Sequence, residues 1–456
     1  MTLDFDKMKE RLDALLDAQR HGQMRGALMM INEVDIAEYM QTLDREKLLT
    51  VFRILPKDIS SDVFSYMDND QRQLLIECIG DAEIAKLVDD MFIDDAVDFL
   101  EELPAGVVKR VLQNTDVKRR NLINQFLRYP ENSAGSIMTI EYCEFRQGIT
   151  VAQVMSEIKR TGIDKETIYT LYIIDDQRHL VGTVPLRRVI MAEDDILIDD
   201  LMETNVIAVS TMDDQETVAD TVRKYDFLSM PVVDKEHRLV GIITADDVMD
   251  VIEEENTEDF EKMAALMPSD KVYLKTSPFR LAISRIPWLL ILMVSAMFTG
   301  ALITHFEGLL SSSAIGIILT SCIPMMMDTG GNCGSQASTL AIRGMALGQI
   351  EFRDLPRVLW KEFRVSLLVG FILALVNFGR LMLFGGANMT TKVAFVVSLS
   401  MFLTVMFAKV IGASLPMLAK KVKLDPALMA SPLITTIVDA CSLTILFNIS
   451  AKLLTF

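Results

Sequence analysis

Cysteine is scarce in this 456-residue chain: Cys78, Cys143, Cys322, Cys333 and Cys441 stand apart, with no CxxC pair. That spacing supports neither a disulfide framework nor a zinc ribbon. Histidine is rarer still, and His21, His179, His237 and His305 form no HExxH. No GxxxxGK(S/T) or GxSxG occurs either, so the usual carriers of metallopeptidase, P-loop and serine-hydrolase chemistry are missing. Net positive charge is also lacking. The chain carries a formal charge of −18, which repels phosphate and argues against nucleic acid as a partner. It opens on Met-Thr-Leu-Asp, with acid where a secretory leader has a basic region and an apolar core, so the N-terminal half is expected in the cytosol.

What is present divides into two unlike halves. Charged residues make up 24% of the chain, as in a soluble protein, yet the mean hydropathy is +0.30. Residues 1–275 hold 56 acidic and 31 basic side chains, a net of −25, while residues 276–456 hold 7 and 14, a net of +7. Runs with few or no charges cover 286–304, 308–327, 365–379, 393–408 and 427–451. Each reaches or approaches the roughly 20 residues of a spanning helix, so five spans are predicted. The loop after the second run holds Arg343, Arg353, Arg357, Lys361 and Arg364, and the loop after the fourth holds Lys420, Lys421 and Lys423. Basic loops stay cytoplasmic. An odd number of spans then puts the C-terminus outside.

Residues 1–128 read as helix throughout. Leu55-Pro56 recurs as Leu103-Pro104, 48 residues later, and each pair leads into a helix with Pro near its start. This predicts stacked helical hairpins. A clearer repeat follows: IIDDQRHLVGTVPLRRV (173–189) matches VVDKEHRLVGIITADDV (232–248) at an offset of 59. Each copy reads as strand, polar turn, strand and helix, and the segment resembles a tandem CBS pair over 130–252. In that family a Thr/Ser and an Asp three residues later hold a ribose. Here Thr244 and Asp247 keep the pattern, whereas the first copy has Pro185 and Arg188. The alternative is that Thr244 only caps the helix behind it.

From Asp246 to about Met267 the pattern predicts one helix running toward the membrane domain. One face carries Asp247, Asp250, Glu254, Glu255, Glu258, Asp259 and Glu261, and the helical domain adds Asp89, Asp90, Asp94, Asp95 and Asp98. Crowded carboxylates destabilise one another, so divalent cations should stabilise such faces. Oxygen ligands without His or Cys suit Mg²⁺ or Ca²⁺ rather than zinc.

The second uncharged run leads into PMMMDTGGNCGSQ (324–336). Three glycines in five residues predict a broken helix whose freed carbonyls, with Asp328 and Asn332, line a polar wall. Asp439 is the lone charge of the last run, and an intramembrane carboxylate marks an ion pathway. The alternative pairs it with Lys409 or Arg380. The motif PxxxDxGGNxGxQ, the segment from Ser431-Pro432-Leu433 to Asp439 and the domain order together resemble the MgtE family of magnesium channels and transporters. The resemblance implies a multidomain fold: an all-α superhelical N-domain (1–128), an α/β tandem CBS pair (130–252), a connecting plug helix (246–270) and a five-span α-helical membrane domain (280–456). It further implies a homodimer in the bacterial plasma membrane, a pore at Asp439 with Gly330, Gly331, Asn332 and Asp328, and ATP at the CBS pair. The implied regulatory Mg²⁺ ligands are the acidic residues Asp89, Asp90, Asp94, Asp95, Asp247, Asp250, Glu254, Glu255, Glu258 and Asp259, with Glu216, Asp226 and Asp425. The implied activity is Mg²⁺ uptake, closed by cytosolic Mg²⁺; the alternative is an H⁺- or Na⁺-coupled carrier.

Overall fold

A computed structural model describes residues 5–101, 103–268, 273–274, 276–306, 314–386, 389–429 and 431–454. It forms two compact units, Met1–Ile252 and Glu253–Phe456.

The first unit begins with ten short helices, from Phe5–Asp17 to Val117–Phe126. They are short because the sequence punctuates them. Asn32, Asp44, Asp68 and Asp116 each accept a hydrogen bond from a first-turn amide, satisfying groups that helix ends leave orphaned. Pro56 and Pro104 directly precede the helices Lys57–Ser65 and Ala105–Asn114. Tyr39, Phe64, Phe99 and Phe126 are fully buried among these helices, and Phe64 and Phe99 meet edge to face at 5.0 Å.

Two three-stranded sheets follow. β1 (Glu144–Arg146), β2 (Thr170–Ile174) and β3 (Leu180–Pro185) form one; β4 (Val209–Ser210), β5 (Ser229–Val233) and β6 (Leu239–Thr244) form the other. In both, the first pair is parallel and the second antiparallel, and both antiparallel pairs shift register at the same repeat position. The sequence repeat is therefore a structural one. Asp175 Oδ1 accepts from the amides of Gln177 and His179, each at 2.8 Å. Asp234 Oδ1 accepts from those of Glu236 and Arg238, each at 2.9 Å. Both turns carry a left-handed residue, Arg178 at φ 69° and His237 at φ 64°. The turns then join: Leu180 N donates to His237 O and Leu239 N to Arg178 O.

The connector helix spans Ala245–Met263, and Val248 and Val251 bury its first turns in the first unit's core. It is shorter than the pattern predicts. Ala265 turns left-handed at φ 55°, and Leu266 N donates back to Glu261 O, a helix stop of the kind glycine usually makes. Residues 269 and 270, the end of the expected plug segment, lie outside the described residues.

The described residues of the second unit form five long helices: Pro278–His305, Ala314–Ala346, Leu355–Phe384, Thr391–Lys421 and Ser431–Leu453. Among the described residues, four are long and apolar enough to cross a membrane; the more polar Ala314–Ala346 is not one of the four. The start of its uncharged run, 308–313, is not described. Thr391–Lys421 is the hub, burying sixteen residues against its neighbours. Pro278–His305 buries only Thr299 and presents Leu289, Ile291, Met293 and Phe298 outward, as a helix in contact with lipid does.

Candidate ion path and acidic clusters

The glycine motif does not break its helix. Ala314–Ala346 is continuous through Gly330, Gly331 and Gly334, which corrects the expected polar wall of freed carbonyls. The glycines act through what they lack. A Cβ on Gly330 would lie 2.8 Å from Ser442 Oγ and Thr404 Cγ2, and one on Gly334 would lie 2.8 Å from Ile434 Cγ2 and 3.3 Å from Ala408 O. Gly412 crosses directly over the Gly334 backbone. Ala314–Ala346 and Thr391–Lys421 therefore meet backbone to backbone, and Ser431–Leu453 lays its side chains directly on the glycines, as small residues permit in lipid. Ser338 Oγ adds a bond to Met429 O at 3.1 Å.

This close crossing sets the polar residues. Asp328, Asn332 and Gln336 recur every fourth residue on the exposed side of their helix, one stripe of one face. Asp439 follows Val438, which packs on Gly330 and Gly334. It is half-buried, and Asp328 is close enough for the two carboxylates to repel. The expected partners of Asp439 are taken. Lys409 faces Glu362 at 4.0 Å, and Arg380 donates to Asn377 Oδ1 at 3.1 Å. The alternative salt bridge from Asp439 to either base is thus not made.

In the first unit, the predicted Asp94, Asp95 and Asp247 converge with three carboxylates the sequence did not single out: Asp62, Glu166 and Asp246. Burial, then repulsion from Asp247, Asp246 and Asp95, lifts Glu166 to about 7. Burial also lifts Asp247 to about 6, although the Thr244 hydroxyl, 2.5 Å from Asp247 Oδ2, and the Thr244 amide, 3.3 Å away, favour its charged form. Burial, then the charge of Asp247, pushes Asp94 well above its ordinary value. Thr244 and Asp247 are thus held by each other at the edge of this cluster. Half-buried Arg119 donates to Glu141 Oε1 at 3.3 Å and to Met91 O beside it. Asp89 lies near Arg119 and Asp116 instead, and Asp90 ends the same helix. Glu216 and Asp226 stand exposed at opposite ends of Gln215–Tyr225, about 15 Å apart along its axis.

In the second unit, Asp259 is raised by burial and by Asp425, Glu255 and Glu258. Asp425 Oδ1 caps the turn before the last helix by accepting from Ala427 N at 2.8 Å. Its other oxygen accepts from Lys262 Nζ at 2.7 Å, and Glu258 Oε1 accepts from the same amine at 2.8 Å. Asp250 and Glu254 are exposed on the connector helix. Among the described residues, no three His, Cys, Asp or Glu side chains are already gathered as a metal site. The donor chemistry is nevertheless all oxygen, as hard divalent ions require.

Comparison with known proteins assigns the whole. Residues 323–449 match the family model described as a divalent cation transporter, 31–132 the MgtE intracellular N domain and 198–254 the CBS domain. The chain is 34% identical to "Magnesium transporter MgtE" of Thermus thermophilus, over 98% of this chain and 99% of that one. It is 30% identical to the protein of the same name from Bacillus subtilis, over 98% of both. The crystal structure of the soluble part of a magnesium transporter covers 55% of this chain and 99% of that one, at 31% identity and TM-score 0.53. The cytosolic domain of the Mg²⁺ channel MgtE in complex with ATP covers 53% of this chain and 99% of that one, at 32% identity and TM-score 0.50. With its helical N-domain, CBS pair and apolar helical region, this chain belongs to the MgtE family of divalent cation transporters and is not an enzyme.

Proposed function

We propose that the protein is a Mg²⁺-selective channel for magnesium uptake, closed by cytosolic Mg²⁺. The observation that carries this reading is Asp439: an unpaired carboxylate in an apolar helix, beside the exposed stripe of Asp328 and Asn332. The working form is a homodimer in a bacterial inner membrane. Each chain has five spans, with the N-terminus cytoplasmic and the C-terminus outside. The stripe faces the second copy, and two Asp439 carboxylates hold the ion. Mg²⁺ gives up its water reluctantly, so the carboxylates act through the hydration shell, and several weak contacts let the ion leave. Gly330 and Gly331 contribute by letting the Asp328 helix approach the Asp439 helix.

Closure follows from charge. Without Mg²⁺ the acidic clusters repel and the cytosolic modules separate. With Mg²⁺, ions bridge Asp94, Asp95 and Asp247 in one cluster and Glu255, Glu258, Asp259 and Asp425 at the plug helix. Several weak sites together can supply the roughly 5.5 kcal/mol that swings a two-state population from 1:99 to 99:1. Asp89, Asp90, Asp250, Glu254, Glu216 and Asp226 add outlying ligands. ATP binds at the second CBS repeat, with Thr244 and Asp247 on its ribose.

The test is Mg²⁺ flux into proteoliposomes, wild type against Asp439→Ala, with Mg²⁺ varied on the cytosolic face. The expected result is flux that needs Asp439 and falls as cytosolic Mg²⁺ rises. Flux that survives the substitution would move the ion site to Asp328 and Asn332.

A further inference from the structure

The connector helix holds nine acidic residues and a single base, Lys262, in its last turn. Such a base supports a helix C-terminus, but Lys262 does more than face the dipole. Its amine lies 2.8 Å from Glu258 Oε1, one turn back, and 2.7 Å from Asp425 Oδ2. Asp425 is itself fixed by its bond to Ala427 N. The Lys262 side chain is only 22% exposed, and its amine is held between the two carboxylates. Asp259, beside it, feels the same charge.

A divalent ion bridging the connector helix to Asp425 needs these same oxygens, at about 2.1 Å for Mg²⁺. An amine and a divalent ion at the same oxygens repel each other, so each weakens the other's hold on them. From this geometry we infer that Lys262 is a tethered competitor for the divalent ion, one that sets the Mg²⁺ concentration at which the plug helix is clamped. The flexible four-carbon stem lets the amine leave, and the divalent ion then replaces one positive charge by two. The inference rests on the closure by Mg²⁺ proposed above and adds the residue that tunes its threshold.

Hydrogen exchange of the connector helix in the full-length protein in lipid reads the clamping directly, without flux. Mg²⁺ is titrated against wild type, Lys262→Gln, Lys262→Met and Lys262→Arg. Removing the charge should lower the half-protecting Mg²⁺ concentration roughly tenfold, the equivalent of about 1.4 kcal/mol. Gln and Met should agree, since Met keeps the stem and loses only the charge. Arg, still cationic, should stay at or above the wild-type midpoint. A Gln or Met midpoint equal to or above wild type would overturn the inference and make Lys262 a structural clasp. If Mg²⁺ protected the helix in no variant, wild type included, the closure reading would itself fail.

Discussion

Charge is plentiful in one unit of this protein and rare in the apolar helices of the other, and the two call for opposite reading. In Met1–Ile252, acidic side chains are so common that an individual carboxylate says little. The informative observation is convergence: Asp62, Asp94, Asp95, Glu166, Asp246 and Asp247 repel one another across several elements. In Glu253–Phe456 the informative observation is pairing. Lys409 has Glu362 and Arg380 has Asn377. Among the described residues, the charged group beside Asp439 is another carboxylate, Asp328. A paired intramembrane charge has a structural explanation; an unpaired one needs a mobile partner, and an ion path supplies it.

That contrast can be broken at the Lys409–Glu362 pair, whose side chains are 6% and 13% exposed. If its role is structural, Glu362→Leu alone strands a buried lysine and should cost about 3–5 kcal/mol. Lys409→Met with Glu362→Leu should recover most of that loss, because an apolar pair often equals a buried ion pair. Thermal unfolding in detergent, with Mg²⁺ flux of the double variant, checks this. A stable double variant without flux would give the pair a transport role and end the distinction.

Glycine sharpens the same contrast with a smaller effect. Gly412→Ala drives a methyl into the Gly334 backbone, where nothing flexible can yield, and should cost about 1–3 kcal/mol. Gly26→Ala, in the helix His21–Leu28 with nothing within 4 Å of the new methyl, should stabilise by about 0.5–1 kcal/mol. Opposite shifts in unfolding temperature are the expected outcome; equal shifts would mean that the crossing at Gly334 is loose.

The legible parts of the sequence were those set by local pattern. The apolar helices follow from uncharged runs, and the matching sheets follow from a repeat whose Asp175 and Asp234 cap equivalent turns. Asp439 was visible because the sequence run around it carries no other charge. The glycine motif was misread for a physical reason: chain order shows a glycine's freedom but not the neighbour that forbids a side chain. Glu166 and Asp62 left no signal, since only tertiary packing brings them to Asp247. The connector's end at Met263 depends on Ala265 adopting a conformation that its side chain disfavours.

The smallest effect tests convergence itself. In the folded protein Glu166 titrates at about 7 and Asp247 at about 6, both raised above their ordinary values of 4.5 and 3.8. A raised carboxylate pKa means that the fold favours the protonated form. The stabilisation is complete below the unfolded pKa values and is lost as pH rises through about 6 to 7. Without divalent ions, the unfolding temperature of the first unit in the intact protein should therefore fall between about pH 5 and pH 8. The change should be on the order of 1 kcal/mol, because the cluster is partly open to solvent. Mg²⁺ should flatten the slope by supplying the positive charge that protons supply at low pH. Asp95→Asn should flatten it without Mg²⁺, by removing one of the repelling groups. A slope that Asp95→Asn leaves unchanged would mean that the carboxylates act singly, and the distinction between a crowded acidic unit and a sparsely charged membrane unit would lose its electrostatic basis.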